Sequence, residues 1–297
     1  MVIAIIVLAV LLGLLMAVGF YFASYAVNGK RQTLEEARAW QEAHYDLSWY
    51  DGLEKTDYTV ESDDGYALHA QFLRNPEPTD KYIIISHGYT DNRFGALKYG
   101  GIYLNLGYNL VVYDLRGHGL NEPTHCTYSI RERRDLASII ADTRKRHPDA
   151  RVLGLHGESL GAATSVAVLG LKPEVDFVVA DCGFAEIVPV LEGGVKAMKL
   201  PTAIVSVASL CAKLRYGHGF GEMRPIDSLA DNTVPILFIH GAADTFITPD
   251  HSARMQAATK GASELRLIEG AAHAASVLTA PGEYAQCVEG FLNRLGL

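Results

Sequence analysis

Ser159, Asp244 and His273 are the side chains in this sequence whose types and order could make and break an acyl bond. A serine hydroxyl attacks a carbonyl only when a base takes its proton. The usual base is a histidine held in the correct tautomer by a carboxylate. Ser159 is the centre of Gly157-Glu158-Ser159-Leu160-Gly161, a G-x-S-x-G pentapeptide. Asp244 lies just beyond Ile239-His240-Gly241, and His273 lies within Gly270-Ala271-Ala272-His273-Ala274. Each follows an apolar run of strand length, so each belongs to a loop that can converge on Ser159. Serine, acid, histidine is the chain order expected where this pentapeptide forms a strand–turn–helix elbow. Among later histidines, His251 falls in a helix-like stretch and His218 in a long apolar insertion. Asp181 rivals Asp244, because it too ends a strand-like run. Asp244 is preferred, since Asp181 is better suited to bracing local turns. Asp250 begins a helix, where capping accounts for it.

A tetrahedral oxyanion needs preorganised N–H donors. The Leu160 backbone N–H, just after the nucleophile, is one candidate. Tyr89, in His87-Gly88-Tyr89-Thr90 at the end of another apolar run, is the other. His87 is read as structural, hydrogen-bonding the loop backbone. Glu158 is read as favouring the helix N-terminus or shaping the edge of the site. Asp114, Arg116 and His118 are read as fixing a neighbouring glycine-rich turn. The sequence has no metal-ligand spacing, phosphate loop or dinucleotide fingerprint, so no cofactor or metal is expected.

The elements that must position these residues follow from hydropathy patterning. Val152–Leu155 is of strand length, and Ala162–Leu171, rich in small apolar residues, suits a buried helix. Asp57–Ser62 and Ala67–Arg74 flank Asp64-Gly65, a hairpin signal. Tyr82–Ser86, Asn109–Tyr113, Phe177–Asp181 and Val234–His240 are continuous apolar runs, as in strands buried on both faces. Glu264–Ile268 is a shorter one. Gly95–Leu106, Ser129–Arg146, Asp250–Thr259 and Gly282–Leu295 read as helices between them. Eight strands alternating with helices predict an α/β class: a doubly wound, mostly parallel eight-stranded sheet. The polar, glycine-rich clusters fall at the strand ends, where such sheets bind ligands. Glu186–Leu229 breaks the alternation. It is read as a small helical cap over the strand ends, with a helix packed elsewhere on the core as the alternative.

Residues 2–27 contain no charged side chain, and Lys30 and Arg31 follow. The run is long enough to cross a bilayer, and Phe20, Tyr21, Phe22 and Tyr25 resemble an interfacial belt. It is read as an uncleaved transmembrane anchor (residues 1–27), followed by a juxtamembrane helix and tether (28–50) and the main domain (51–297). Ser24-Tyr25-Ala26 could pass as a signal-peptide cleavage site, but there is no basic leader and the run is long. The flanking cations place the main domain on the cytoplasmic side of the cell membrane. The 297 residues carry a formal net charge of −8, which argues against a nucleic-acid partner. The four cysteines lack metal or disulfide spacing and are read as ordinary buried thiols.

Together, His87 to Thr90, Asp114-Leu115-Arg116-Gly117-His118-Gly119, the Ser159 pentapeptide, Asp181-Cys182-Gly183-Phe184, His240 to Asp244 and His273-Ala274 make the chain resemble the α/β-hydrolase superfamily. With its amino-terminal run, it looks like bacterial membrane-associated esterase- or lipase-like members. The resemblance implies Ser159 as nucleophile, Asp244 as acid, His273 as base, and Tyr89 and Leu160 as oxyanion donors. Asn121 departs from it, because related sequences often carry serine after the Gly-His-Gly turn; this weakens the subfamily assignment and not the chemistry. The expected function is hydrolysis of an acyl ester or lipid-like small molecule through an acyl-enzyme. Alternatives on the same triad are a peptidase, which needs a site for a peptide terminus, and a thioesterase or acyltransferase. A non-catalytic binding protein on this fold is the second class, set against the presence of all three triad residues.

Overall fold

A computed structural model describes every residue from Met1 to Leu297. Its centre is one eight-stranded sheet in the order β1-β2-β4-β3-β5-β6-β7-β8. The hairpin β1 (Lys55–Glu61) and β2 (Ala67–Leu73) is antiparallel, and β2 also runs antiparallel to β4 (Asn109–Tyr113). From β4 onward, β3 (Lys81–Ser86), β5 (Val152–Glu158), β6 (Phe177–Asp181), β7 (Ile236–Gly241) and β8 (Ser263–Ile268) are parallel. The sheet is therefore mixed, with its antiparallel pairs at one edge. Every residue of β4, β6 and β7 is buried. That is why these strands read as continuous apolar runs and not as alternating ones.

Helices cover both faces. On one side lie α4 (Arg93–Asn105), the one-turn α10 (Ser276–Thr279) and α11 (Pro281–Leu295); Tyr99, Tyr103 and Tyr284 are fully buried there. On the other lie α5 (Glu132–Arg146), α6 (Leu160–Ala167) and the short α9 (Asp250–Ala258). α4 starts two residues before the expected Gly95, because the Asn92 side chain accepts the Phe94 N–H and caps it. α5 starts at Glu132 and not Ser129, because the Glu132 carboxylate accepts the N–H groups of Thr127 and Ser129 and folds that stretch into a turn. α6 gives way to a tighter helical turn over Val168–Leu171.

Between β6 and β7 the chain forms α7 (Ile187–Ala197) and α8 (Ala203–Tyr216), followed by two short turns of tight helix. α7 and α8 make a hairpin with its corner at Met198–Thr202. Their inward faces (Val190, Val195, Val205, Ala208) join the same apolar cluster as the sheet.

α1 (Val2–Val27) is long and apolar enough to cross a membrane. Its first eighteen residues are mostly exposed, while Gly19, Ala23 and Val27 are buried against the rest of the chain. The following segment is stitched to the domain by backbone groups. Cys126 N–H donates to Val27 O at 3.0 Å and Gln32 N–H donates to Thr90 O at 2.8 Å. Arg31 also donates to Gly117 O. α2 (Leu34–His44) then begins with a reciprocal cap between Thr33 and Glu36, and α3 (Ser48–Gly52) leads into β1. Residues 28–33, expected as a tether, thus lie pinned on the loops around the strand ends.

Candidate active site

The turn from β5 into α6 sets the geometry of Ser159. Its backbone lies at φ 52° and ψ −111°, a strained conformation for a residue with a Cβ. The two glycines around it are required by close approach. A Cβ on Gly157 would sit 2.2 Å from Gly161 O, and one on Gly161 would sit 2.1 Å from Ser86 O. Thr90, Cys182 and Ala274, in the surrounding loops, also have positive φ (70°, 46° and 57°). Backbone strain of this kind gathers at functional sites because the surrounding fold over-determines it.

The structure brings Ser159, His273 and Asp244 into one hydrogen-bonded line. Ser159 Oγ lies 3.0 Å from His273 Nε2, and His273 Nδ1 lies 2.7 Å from Asp244 Oδ2. Asp244 is buried and well supplied with donors. Its Oδ1 accepts the backbone N–H groups of Phe246 and Ile247, both at 2.9 Å. Its Oδ2 also lies 3.3 Å from His240 Nε2, and that nitrogen donates to Ile247 O at 2.7 Å. Burial alone would raise the Asp244 pKa. The polar ring of His240 beside it and the hydrogen bonds from His273 and the Ile247 N–H outweigh it and hold the carboxyl well below the usual carboxylate range. An ionised Asp244 accepts the Nδ1 proton of His273 and leaves Nε2 free to receive one from Ser159. Phe246 stands edge-on to the imidazole, centroids 5.0 Å apart.

Asp181 lies elsewhere. Its Oδ2 lies 3.0 Å from the Tyr99 hydroxyl oxygen, and its Oδ1 is 3.4 Å from Ser276 Oγ. It makes no bond to His273. The same Tyr99 hydroxyl donates to Glu158 Oε2 at 2.6 Å, and Lys98 forms a buried ion pair with that carboxylate. Glu158 thus points into the protein, and not toward the helix N-terminus or the site edge as its position suggested. Burial opposes the charge on Lys98, but Glu158 overrides it and keeps the ammonium protonated. The pair has a consequence for the charge beside Ser159. A bare carboxylate one residue away would disfavour a developing oxyanion, and Lys98 neutralises it.

Burial and the neighbouring Glu158 charge push the Asp181 carboxyl up to about 6. Over the window from its ordinary 3.8 to about 6, the folded protein holds a proton that the unfolded chain releases. The stabilisation this proton gives is therefore complete below the window and falls as pH rises through it, by on the order of 3 kcal/mol. Asp181→Asn is expected to abolish that decline. The check is the melting temperature of both proteins at pH 4, 5 and 6, with the wild type losing stability relative to the variant toward pH 6.

The Tyr89 and Leu160 backbone N–H groups flank Ser159, and neither donates to any acceptor within the protein. The loop carrying Tyr89 is held by His87, whose Nδ1 is 2.7 Å from Gly88 O and whose Nε2 accepts Leu115 N–H at 2.9 Å. Both ring nitrogens serve the backbone, and burial pushes the His87 pKa down, so the ring stays neutral. Asp114 accepts the backbone N–H groups of Arg93 and Leu120, and Arg116 is clamped by Asp64 and Asp135. His118 donates to Arg116 O from Nδ1. Asn121 accepts His69 N–H and donates to the carbonyls of Asp114 and Leu115. All four are buried and brace the turn after β4.

Above Ser159 is a cavity of about 530 Å³, lined by 23 residues of which 18 are hydrophobic. Ser159 and Leu160 form its floor, Tyr89 and Phe246 part of its sides, and α7 and α8 its roof. Phe22, Tyr25, Ala26, Gly29 and Lys30 also line it. The end of α1 is therefore a wall of the same cavity, which sequence patterning had missed. The Tyr89 side chain is the fastening: its hydroxyl accepts Gly29 N–H at 2.7 Å and donates to Ala26 O at 3.0 Å. Tyr128 donates to the same Ala26 carbonyl at 2.5 Å. Tyr89→Phe leaves Gly29 N–H unpaired and is expected to cost about 1–2 kcal/mol. Thermal unfolding of the two proteins in the same detergent checks this.

His240, Lys98, Tyr99 and Tyr128 are the site-supporting residues that sequence reasoning overlooked. His240, at the end of β7 and four residues before Asp244, carried a usable signal. Lys98 carried none, because it looks like any charge on a helix until the packing of α4 is known.

One protein-family model, described as "Serine aminopeptidase, S33", matches residues 77–216. Over 285 residues the chain is 30% identical to YqkD, an uncharacterized protein of Bacillus subtilis strain 168, covering 94% of this chain and 93% of that one. Among solved structures, an esterase of Pyrococcus furiosus superposes with a TM-score of 0.69 at 23% identity, covering 84% of this chain and 94% of that one. An acylaminoacyl peptidase of Pyrococcus horikoshii superposes with a TM-score of 0.64 at 14% identity, covering 83% of this chain and 43% of that one. At these identities the two structures show a common fold alone.

Proposed function

The chain belongs to the α/β-hydrolase superfamily, and from that premise we propose that it is a serine esterase acting on acyl or lipid-like esters. Ser159 is the nucleophile, His273 the general base and Asp244 the acid that orients it. The backbone N–H groups of Tyr89 and Leu160 receive the oxyanion. The observation that carries this reading is the hydrogen-bonded line Ser159–His273–Asp244 at the floor of an apolar cavity. Ser159 Oγ forms a bond to the ester carbonyl carbon while its proton moves to His273 Nε2. Collapse of the tetrahedral adduct breaks the bond to the alcohol oxygen, which leaves with that proton. Water then repeats the sequence on the acyl-enzyme and frees the acid.

The cavity lining favours an ester over a peptide. A free peptide amino terminus calls for a carboxylate, and none of the 23 lining residues is Asp or Glu. The family description supports a peptidase as the second reading. A thioesterase or acyltransferase would use the same groups. α1 is read as a single-pass membrane anchor, with the domain on the cytoplasmic side on the strength of Lys30 and Arg31.

A fluorophosphonate probe on membranes containing the protein tests the reaction type. Labelling is expected for the wild type and not for Ser159→Ala; a folded wild type that does not label would sink the enzyme reading. A panel of p-nitrophenyl esters then tests the substrate class. kcat/KM is expected to rise with acyl length by up to about fourfold per methylene while chain still enters the cavity. Cleavage of aminoacyl p-nitroanilides with no response to ester chain length would favour the peptidase.

A further inference from the structure

The depth at which α8 meets α1 has a bearing on where the substrate comes from. The aromatic residues Phe20, Tyr21 and Phe22, with Lys30 and Arg31 soon after, mark the interfacial end of the apolar run of α1. α8 touches α1 before that point. Gly19 faces Val207 and Cys211 so closely that a Cβ there would sit 2.8 and 2.6 Å from their side chains, and Cys211 Sγ lies 3.7 Å from Met16 O. At the other end, Asn28 donates to the Tyr216 hydroxyl at 3.2 Å. α8 therefore runs alongside α1, with its start and the α7–α8 corner at the level of the last turns inside the hydrocarbon.

The surface at that level suits a lipid leaflet. Leu210 is 54% exposed on α8, and Leu200 is 37% exposed at the corner. Lys196, Lys199 and Arg215 are exposed around them, in a protein of net charge −8, while Lys213 pairs with Glu222 at 2.9 Å. Apolar side chains ringed by cations whose long stems can reach headgroup phosphates are the signature of an interfacial element. The cavity opens on this same side. Tyr25 and Met198 both line it and are both more than two-fifths exposed, so they mark its mouth.

We propose that the α7–α8 hairpin sits in the leaflet next to the domain and that the cavity takes a bilayer-dissolved acyl ester laterally from it. The proposal rests on the esterase reading for its substrate, but not for the seat of the hairpin. α1 and the hairpin together form a gate: the membrane anchor supplies one wall of the site, and the hairpin the other. An acyl chain can pass from the leaflet to Ser159 without crossing water, while a water-soluble ester reaches the same serine without the membrane.

The test uses the full chain reconstituted in vesicles of equal parts phosphatidylcholine and phosphatidylglycerol. A Leu210→Trp variant is compared with the wild type, which carries Trp40 and Trp49, in vesicles with and without bromine on the upper acyl chains. The added emission is expected to fall about twofold with brominated lipid and to resist aqueous iodide. Emission that bromine leaves intact and iodide quenches overturns the seat. A Leu200→Glu/Leu210→Glu double variant touches neither the triad nor the cavity lining. It is expected to lose at least about tenfold in turnover of a long-chain acylglycerol dissolved in the vesicles. Its fluorophosphonate labelling and its turnover of soluble p-nitrophenyl acetate should stay at the wild-type level, which also certifies its fold. An unchanged rate on the vesicle-borne ester overturns lateral entry. Quenching is read without turnover, so a protein that is quenched yet hydrolyses no ester supports the seat and counts against the esterase reading alone.

Discussion

Ser159→Ala is expected to lower kcat for p-nitrophenyl ester hydrolysis by about 10⁶-fold, with little change in melting temperature. The size follows from what remains. Without the hydroxyl there is no oxygen to form the acyl-enzyme, and His273 has no proton to accept at 3.0 Å. The Tyr89 and Leu160 N–H groups and the cavity still bind the substrate, so a residue of activity above the uncatalysed rate persists. The small stability change follows from the conformation of Ser159. Alanine at φ 52° carries the same Cβ strain as serine, and the Oγ makes no hydrogen bond other than that to His273. Stopped-flow turnover and a thermal melt check both parts. A loss of less than about tenfold would remove Ser159 from the nucleophile's role.

Asp244→Asn is expected to reduce kcat by about 10⁴-fold, and Asp181→Asn by far less. The asparagine amide can donate where the carboxylate only accepted, so it favours the His273 tautomer with its proton on Nε2, the wrong one for a base. It also gives up the charge that two backbone N–H groups and His240 hold in place. Asp181 has no bond to His273 and answers to Tyr99 and Ser276. An asparagine there keeps a polar group beside the Tyr99 hydroxyl and leaves the imidazole untouched. The two variants measured side by side on one ester decide between the carboxylates: equal losses, or a larger one for Asp181→Asn, would reverse the assignment.

The cavity also links the two ends of the chain's design. The same Tyr89 that offers a backbone N–H beside Ser159 ties down Gly29 and Ala26 through its hydroxyl. Order in residues 26–29 is therefore coupled to order in the loop that carries Tyr89. A residue with a backbone task and a side-chain task cannot be assigned from sequence, since only the first has a motif.

By itself the sequence determined what local physics writes into it. Strands buried on both faces show as unbroken apolar runs, the elbow shows as two glycines spaced around Ser159, and the order of Ser159, Asp244 and His273 shows their loops. The Gly157 and Gly161 contacts with backbone oxygens leave no other residue type a place there. Only the tertiary structure decided the questions that turn on long-range pairing. It put Asp244, and not Asp181, against His273, and it turned Glu158 inward onto Lys98, sixty positions earlier in the chain. It also made the end of α1 a wall of the cavity. A helix that is apolar on every side has no periodicity to show which face packs. The face bearing Gly19, Ala23 and Val27 became visible only once α8 and Tyr89 were beside it.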